Sequence, residues 1–256
     1  MAKLHIEYFS RALHRATSFD MLIPNDSPEN ASRPLSTLFL LHGYTGKAEN
    51  WVPDGLPEKY GFAIVMPTAE NSFYLNGEPT GTAYQAMVGE ELVDYVRRTF
   101  HLANGPEDTC IAGLSMGGFG ALHTGLMYPE TFGGIMALSS ALIIYQLAKM
   151  TPDMQNPMAN YEYYVDTFGD LKKAAKSDHN PEVLYLRNRE NNIENPKIFM
   201  ACGKEDFLIK ENRRMKNFLK KQNADFRYVE GHGVHDWNFW VPYSEQGIRY
   251  LLENEK

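Results

Sequence analysis

The sequence predicts an α/β protein: one mostly parallel sheet with helices on both faces. Three observations carry that prediction. Short unbroken apolar runs recur along the chain, as strands buried on both faces require. Segments with apolar residues at helical spacing separate them, giving the βαβ rhythm of a parallel sheet. One strand-to-helix junction, Gly113-Leu114-Ser115-Met116-Gly117, carries glycines two residues either side of a serine.

The elements follow in order. Leu4 to Ser10 and Thr17 to Ile23 alternate in part and flank a tight reversal near His14, so they predict an antiparallel N-terminal edge. Pro24 to Ser36 is rich in Pro, Asn and Ser and reads as a surface loop. Thr37-Leu38-Phe39-Leu40-Leu41 is a continuous apolar strand, and Phe62 to Met66 is another. Thr82 to Phe100 places Tyr84, Val88, Leu92, Tyr95 and Val96 at helical spacing. Thr109 to Leu114 reads as strand and Gly117 to Tyr128 as helix, closed by Pro129. Gly134 to Leu138, Lys197 to Cys202 and Phe226 to Val229 are further strands. Helices are expected near Ile209 to Gln222 and over Trp240 to Glu253. Right-handed crossovers then give a single α/β domain over residues 1–256. The segment at about 145–195 breaks the rhythm with Pro152, Pro157, Pro181 and many Asn residues. It reads as a small cap-like insertion over one sheet edge, able to shape an extended groove for an alcohol such as a sugar.

Composition bounds the function. Hydrophobic residues at 43% and charged residues at 22% fit a globular chain of 256 residues with a sizeable core. A net charge of −7 excludes the basic footprint of a nucleic-acid binder and disfavours an anionic membrane surface. Residues Met1 to Glu7 lack the apolar core of a signal peptide, and Ile135 to Tyr145 is too short to span a bilayer. The expected compartment is the cytoplasm. Cys110 and Cys202 each sit inside an apolar run and are expected as buried free thiols. Self-association into a homo-oligomer is compatible with the sequence.

The bare Gly-x-Ser-x-Gly pattern is weak, because roughly one random chain in ten of this length contains it. Its place between an apolar strand and a Gly- and Ala-rich helix gives it force. A serine in a strained turn needs neighbours without side chains where strand and helix approach, and its hydroxyl then stands at a helix N-terminus. A phosphate-binding loop would need a GK[ST] ending or the dinucleotide fingerprint, and neither is present. Ser115 is therefore the expected nucleophile.

On such a sheet the acid and the histidine follow the serine in that order. His232 and His235 come late enough, after the last predicted strand. His235, just before the closing helix, is favoured as base, with His232 as a loop residue. Cys202-Gly203-Lys204-Glu205-Asp206 offers two carboxylates after the penultimate strand. Asp206 is favoured, since the apolar Phe207 and Leu208 behind it suggest an inward position; Glu205 is the alternative. Asp236 adjoins the histidine too closely to reach its distal nitrogen and suits a helix N-cap. The loop His42-Gly43-Tyr44-Thr45-Gly46 follows an apolar strand, so the amides of Tyr44 and Met116 are the expected oxyanion donors. His42 precedes that loop and reads as a structural hydrogen-bonder.

The stretches HGYTGKAENW, GLSMGGFGAL, YPETFGG, CGKEDF and GVHDWNFW together resemble the short-chain serine esterases related to tributyrin esterase and esterase D. That group lies within the α/β-hydrolase superfamily and includes S-formylglutathione hydrolases and acetyl and cinnamoyl (feruloyl) esterases. The resemblance spans about Leu35 to Trp240. It implies a Ser115, Asp206 and His235 triad, oxyanion donors at Tyr44 and Met116, and no metal or organic cofactor. It also implies that Trp51 and Tyr74 line the acyl or alcohol pocket, with core packing as the alternative for both. The implied reaction is hydrolysis of acetyl to butyryl esters, the substrate being a small-molecule or carbohydrate ester such as acetylated or feruloylated plant carbohydrate. A thioesterase acting on S-formylglutathione, a serine peptidase and a non-catalytic binding protein on the same fold are the rivals.

Overall fold

The computed structural model describes residues 1–154 and 156–252. Strand β1 (Ala2–Ser10) turns at His14 into β2 (Arg15–Ile23), and the two pair antiparallel. A short helix α1 (Pro28–Ser32), capped by the Ser27 side chain, stands inside the segment expected as loop. Then follow β3 (Ser36–Leu41), α2 (Leu56–Tyr60) and β4 (Phe62–Pro67). The long helix expected from Thr82 is three pieces. Helix α3 (Tyr84–Ala86) and α4 (Leu92–Phe100) are joined by one π turn, Met87–Glu91. Gly89 in that turn lies against the Tyr128 ring, where a Cβ would stand 2.2 Å from Cε2. Strand β5 (Thr109–Leu114) leads to α5 (Met116–Met127) and β6 (Gly134–Leu138).

The predicted insertion is helical: α6 (Ile144–Leu147), α7 (Tyr161–Phe168), α8 (Leu171–Ala174) and α9 (Pro181–Glu190). Side chains of Asn160, Asp170 and Asn180 cap the last three. The chain closes with β7 (Lys197–Gly203), α10 (Ile209–Lys221), β8 (Phe226–Gly231) and α11 (Trp237–Leu252). Helix α11 begins three residues before the expected Trp240, because Asp236 accepts from the Phe239 amide and starts it there. The expected end at Glu253 lies outside the described residues.

All eight strands form one sheet in the order β1-β2-β4-β3-β5-β6-β7-β8. Strand β2 pairs antiparallel to β4, and every pair from β4 to β8 is parallel. The expected sheet with its antiparallel N-terminal edge is thus the one observed. Alternate residues along the central strands feed two separate cores. Phe39, Val65, Ile111, Ala137 and Met200 join a core with α4, α5 and α10. Leu38, Ile64, Ala112, Met136 and Phe199 join the other with α2 and α11. Cys110 and Cys202 are free and buried. Among the described residues no helix is long and apolar enough to cross a membrane.

The insertion is fastened to α5 through the buried His123 imidazole, beside which half-buried His179 braces the insertion itself. His123 Nε2 donates to the Asp178 carbonyl at 3.0 Å, and His179 Nδ1 donates to the Phe168 carbonyl at 3.1 Å. His123 stacks on Phe119 with an interplanar angle of 13°. Burial, reinforced by the neighbouring His179, pushes the His123 pKa down to about 3, and burial lowers His179 as well. The unfolded chain therefore takes up protons below about pH 6.5 that the folded chain refuses, and stability falls as pH drops from there toward 3. His123 alone is expected to remove about 2 kcal/mol between pH 7 and pH 5. Urea midpoints at the two pH values test this: the drop should shrink in His123→Gln, and an undiminished drop would place its source elsewhere.

Candidate active site

The site is built where β5 turns into α5. Ser115 occupies that turn with φ 55° and ψ −117°, a region costly for a residue with a side chain. The flanking glycines make the turn possible. A Cβ on Gly113 would stand 2.0 Å from the Gly117 carbonyl oxygen, and one on Gly117 would stand 2.4 Å from that of Leu41. Strand and helix could not approach this closely with any side chain there.

His235 arrives from the loop between β8 and α11. Its Nε2 lies 2.9 Å from Ser115 Oγ, and its Nδ1 lies 2.9 Å from Asp206 Oδ2. With the carboxylate ionised, Nδ1–H donates to Asp206 and Nε2 accepts from the serine hydroxyl. Asp206 follows β7 and is 2% exposed. Burial opposes its ionisation, but hydrogen bonds from His235, the Leu208 amide and Ser139 outweigh that and hold the carboxyl below its usual range. The His235 ring is flanked by Phe207, centroids 4.6 Å apart, and by the edge of Trp240 at 4.8 Å. Phe207 is 68% exposed, so its apolar character does not mark the inward side; the Leu208 amide and His235 fix Asp206 instead.

Glu205 has a different position. Its Oε2 accepts from the Gly233 amide at 2.7 Å, and its Oε1 lies 3.0 Å from His232 Nδ1. The backbone Glu205 N–H also donates to Gly233 O. Glu205 thus ties down the loop that carries His235 and makes no bond to His235 itself. His232 is exposed and faces Glu205.

Met116 is the first residue of α5, where an amide has no acceptor within the helix. Tyr44 lies in the loop after β3, and a Cβ on neighbouring Gly43 would stand 3.6 Å from Ser115 Cβ. Among the described residues, neither amide has a protein acceptor. That loop is braced from behind. The Ala69 amide donates to His42 Nε2, so Nδ1 bears the proton and donates to Gly43 O at 2.8 Å. Burial lowers the His42 pKa, against the opposing Gly43 bond, and favours this neutral form. Asn71 Oδ1 accepts from the Thr45 amide at 2.7 Å, and Tyr163 of α7 donates to the Asn71 carbonyl.

A cleft of about 400 Å³ opens over Ser115, lined by Tyr44, Trp51, Met158, Phe207 and Trp237 among others. Trp51 is a wall of it. Tyr74 is not: its ring is completely buried and its hydroxyl donates to the His42 carbonyl at 3.0 Å. The pocket placement implied for Tyr74 gives way to packing, because its side chain reaches the back of the oxyanion loop and stops there. Glu49, Met158, Phe207 and Trp237 line the cleft without having been singled out. The aromatic run after His235 was the available signal for Trp237. Among the described residues no cluster of three or more His, Cys, Asp or Glu side chains is arranged to hold a metal ion.

The strand order and the serine elbow place this chain in the α/β-hydrolase class. A family model described as "Putative esterase" matches residues 10–243. An acetyl esterase of Caldicellulosiruptor saccharolyticus is 40% identical over 261 residues, 98% of each chain. FphF, a fluorophosphonate-binding serine hydrolase of Staphylococcus aureus, shares the fold at TM-score 0.82 and 24% identity over 99% of each chain. An S-formylglutathione hydrolase (FrmB) of the same organism gives TM-score 0.82 and 23% identity, over 98% of this chain and 99% of its own. The chain belongs to the esterase family. It is a carboxylic ester hydrolase.

The two carboxylates separate by measurement. Asp206→Ala is expected to lower kcat on p-nitrophenyl acetate by about 10³-fold or more. Glu205→Ala is expected to cost about tenfold in kcat with KM little changed, since it loosens the loop and leaves the His235 partner in place. Equal losses in the two variants would contradict this division.

Proposed function

We propose that the protein hydrolyses short-chain acyl esters, acetyl to butyryl, through an acyl-enzyme on Ser115. The observation that carries this reading is the continuous hydrogen-bond chain from Ser115 through His235 to Asp206. Ser115 Oγ attacks the ester carbonyl while His235 Nε2 takes its proton. The tetrahedral oxygen gains the Tyr44 and Met116 amides and the N-terminal end of α5. As the intermediate collapses, the C–O bond breaks and His235 returns the proton to the departing alcohol. Water, deprotonated by His235, then attacks the acyl-enzyme and regenerates Ser115. Asp206 holds the imidazole tautomer and stabilises the imidazolium.

Two features support a small acyl group. The relative named acetyl esterase spans the same length of chain. The Tyr44 hydroxyl lies 3.5 Å from the Met158 carbonyl across the cleft, and bulky Trp51 forms another wall. The cytoplasm is the proposed compartment, a setting that two free buried thiols suit.

Hydrolysis of p-nitrophenyl acetate by wild type and Ser115→Ala tests the nucleophile, with a loss of about 10⁴-fold or more expected. Equal rates would sink the mechanism. Acetate or butyrate should exceed octanoate by about tenfold or more in kcat/KM, since forcing surplus methylenes into a filled site costs 1–3 kcal/mol. Faster turnover of octanoate would refute the short-chain reading.

A further inference from the structure

We propose that Asn212 is a positioning residue for the reaction: its side-chain amide locks the loop after β6, which holds the nucleophile turn, to the loop after β7, which carries Asp206. The role rests on the Ser115 mechanism proposed above.

Asn212 is the fourth residue of α10 and is completely buried. A carboxamide in that position must find partners for two N–H hydrogens and an oxygen, or its burial is costly. It finds three. Its Oδ1 accepts from the Ser140 amide at 3.1 Å, and its Nδ2 donates to the Ser140 carbonyl at 3.0 Å and to the Leu208 carbonyl at 2.9 Å. These partners fix the orientation, since a reversed amide would set its oxygen against two carbonyl oxygens. The pair of bonds to Ser140 engages the N–H and C=O of one residue, as a neighbouring strand would.

Ser140 needs such a partner because the sheet ends before it. Strand β6 closes at Leu138, and the Ser139 amide still donates to the Ala201 carbonyl of β7 at 2.8 Å. The backbone turns at Ser139, φ 45°, and the chain leaves the ladder. The next amide, of Ser140, belongs to Asn212. The one after it, of Ala141, donates to the Ser115 carbonyl at 2.9 Å. On the other side Leu208 gives its carbonyl to Asn212 and its amide to Asp206 Oδ1, the latter at 2.8 Å. One side chain thus stands a single residue away from a bond to the nucleophile turn and shares a residue with a bond to the acid.

Ser115 and Asp206 lie on opposite sides of His235, each 2.9 Å from a ring nitrogen. The strands fix where their loops begin, and Asn212 fixes the two loops to each other. Truncation leaves both backbone groups of Ser140 buried without a partner and frees the loops to move separately. A displacement of about 1 Å is enough to break one of the two imidazole bonds. Asn212 forms no wall of the cleft, so the loss falls on kcat and leaves KM in place.

Phosphorylation by paraoxon releases one p-nitrophenolate per Ser115 modified and so counts folded sites. Per titrated site, Asn212→Ala should lower kcat on p-nitrophenyl acetate about 30-fold and change KM by less than about twofold. Asn188 supplies the comparison for a purely structural amide. It is 2% exposed, and its Nδ2 donates to Leu126 O at 2.8 Å and to Asn195 Oδ1 at 3.0 Å, at the end of α5 remote from Ser115. Asn188→Ala should lower Tm as Asn212→Ala does and keep the wild-type kcat per site. Asn212→Ser serves where Asn212→Ala does not fold. Its hydroxyl can donate to Leu208 O one turn back, so that the link to Ser140 alone is broken, and kcat per site should still fall about tenfold. Wild-type kcat per site in either Asn212 variant, or an equal fall in Asn188→Ala, would overturn the role. Wild type inert towards both reagents would strike the Ser115 mechanism and this role with it, a result told apart from variants that turn over like an active wild type.

Discussion

At Ser115 the chain must pass from strand to helix in the space of one residue, at a backbone geometry that costs an L-residue about 1–3 kcal/mol. Three backbone hydrogen bonds keep it there. Ser115 N–H donates to Leu138 O, and Ser115 O accepts from Phe119 and Ala141. The turn also fixes what surrounds it. Gly117 sits against the carbonyls of Leu41 and His42, so the N-terminus of α5 is pressed onto the end of β3. The loop that begins there carries Tyr44. One steric requirement thus sets the hydroxyl, the Met116 amide and the start of the oxyanion loop together, and a substituent at Gly117 would disturb all three.

The two loops that complete the site are braced by different parts of the fold. The oxyanion loop leans on neutral His42, on the Tyr74 hydroxyl and, through Asn71, on Tyr163 of the insertion. The His235 loop leans on Glu205 through Gly233, and on α11, which Asp236 starts and Trp240 anchors by donating to Ser139. The insertion, which the sequence suggests as a cap, acts here mainly as a buttress behind the oxyanion loop.

How much of this could be read in advance depended on whether a feature is local. Buried parallel strands announce themselves as apolar runs, and the glycines around Ser115 are demanded by its own backbone. Chain order then leads to Asp206 and His235, because strands β7 and β8 deliver them to the same sheet edge. Features fixed by distant packing left little trace. The π turn at Met87–Glu91 answers to Tyr128, some 40 residues on in the chain. Phe207 looks like a core residue by type and stands in solvent beside His235. Tyr74 carries no local mark distinguishing a pocket wall from a brace; only the buried hydroxyl and its carbonyl partner decide. Asn160, Asp170 and Asn180 start helices with a weak apolar period: α8 has four residues, and α7 and α9 bury Thr167 and Asn188 among their inward side chains.

The charges around the cleft follow the direction in which the proposed reaction separates charge. As Ser115 attacks, positive charge grows on His235 and negative charge on the substrate oxygen. Asp206 touches His235 and Glu205 holds its loop, whereas amides and the α5 N-terminus face the oxygen. The same carboxylates placed against the oxyanion would oppose the reaction, and the amides could not stabilise an imidazolium. The arrangement also depends on Asp206 staying ionised in a buried position, which its three hydrogen-bond donors secure.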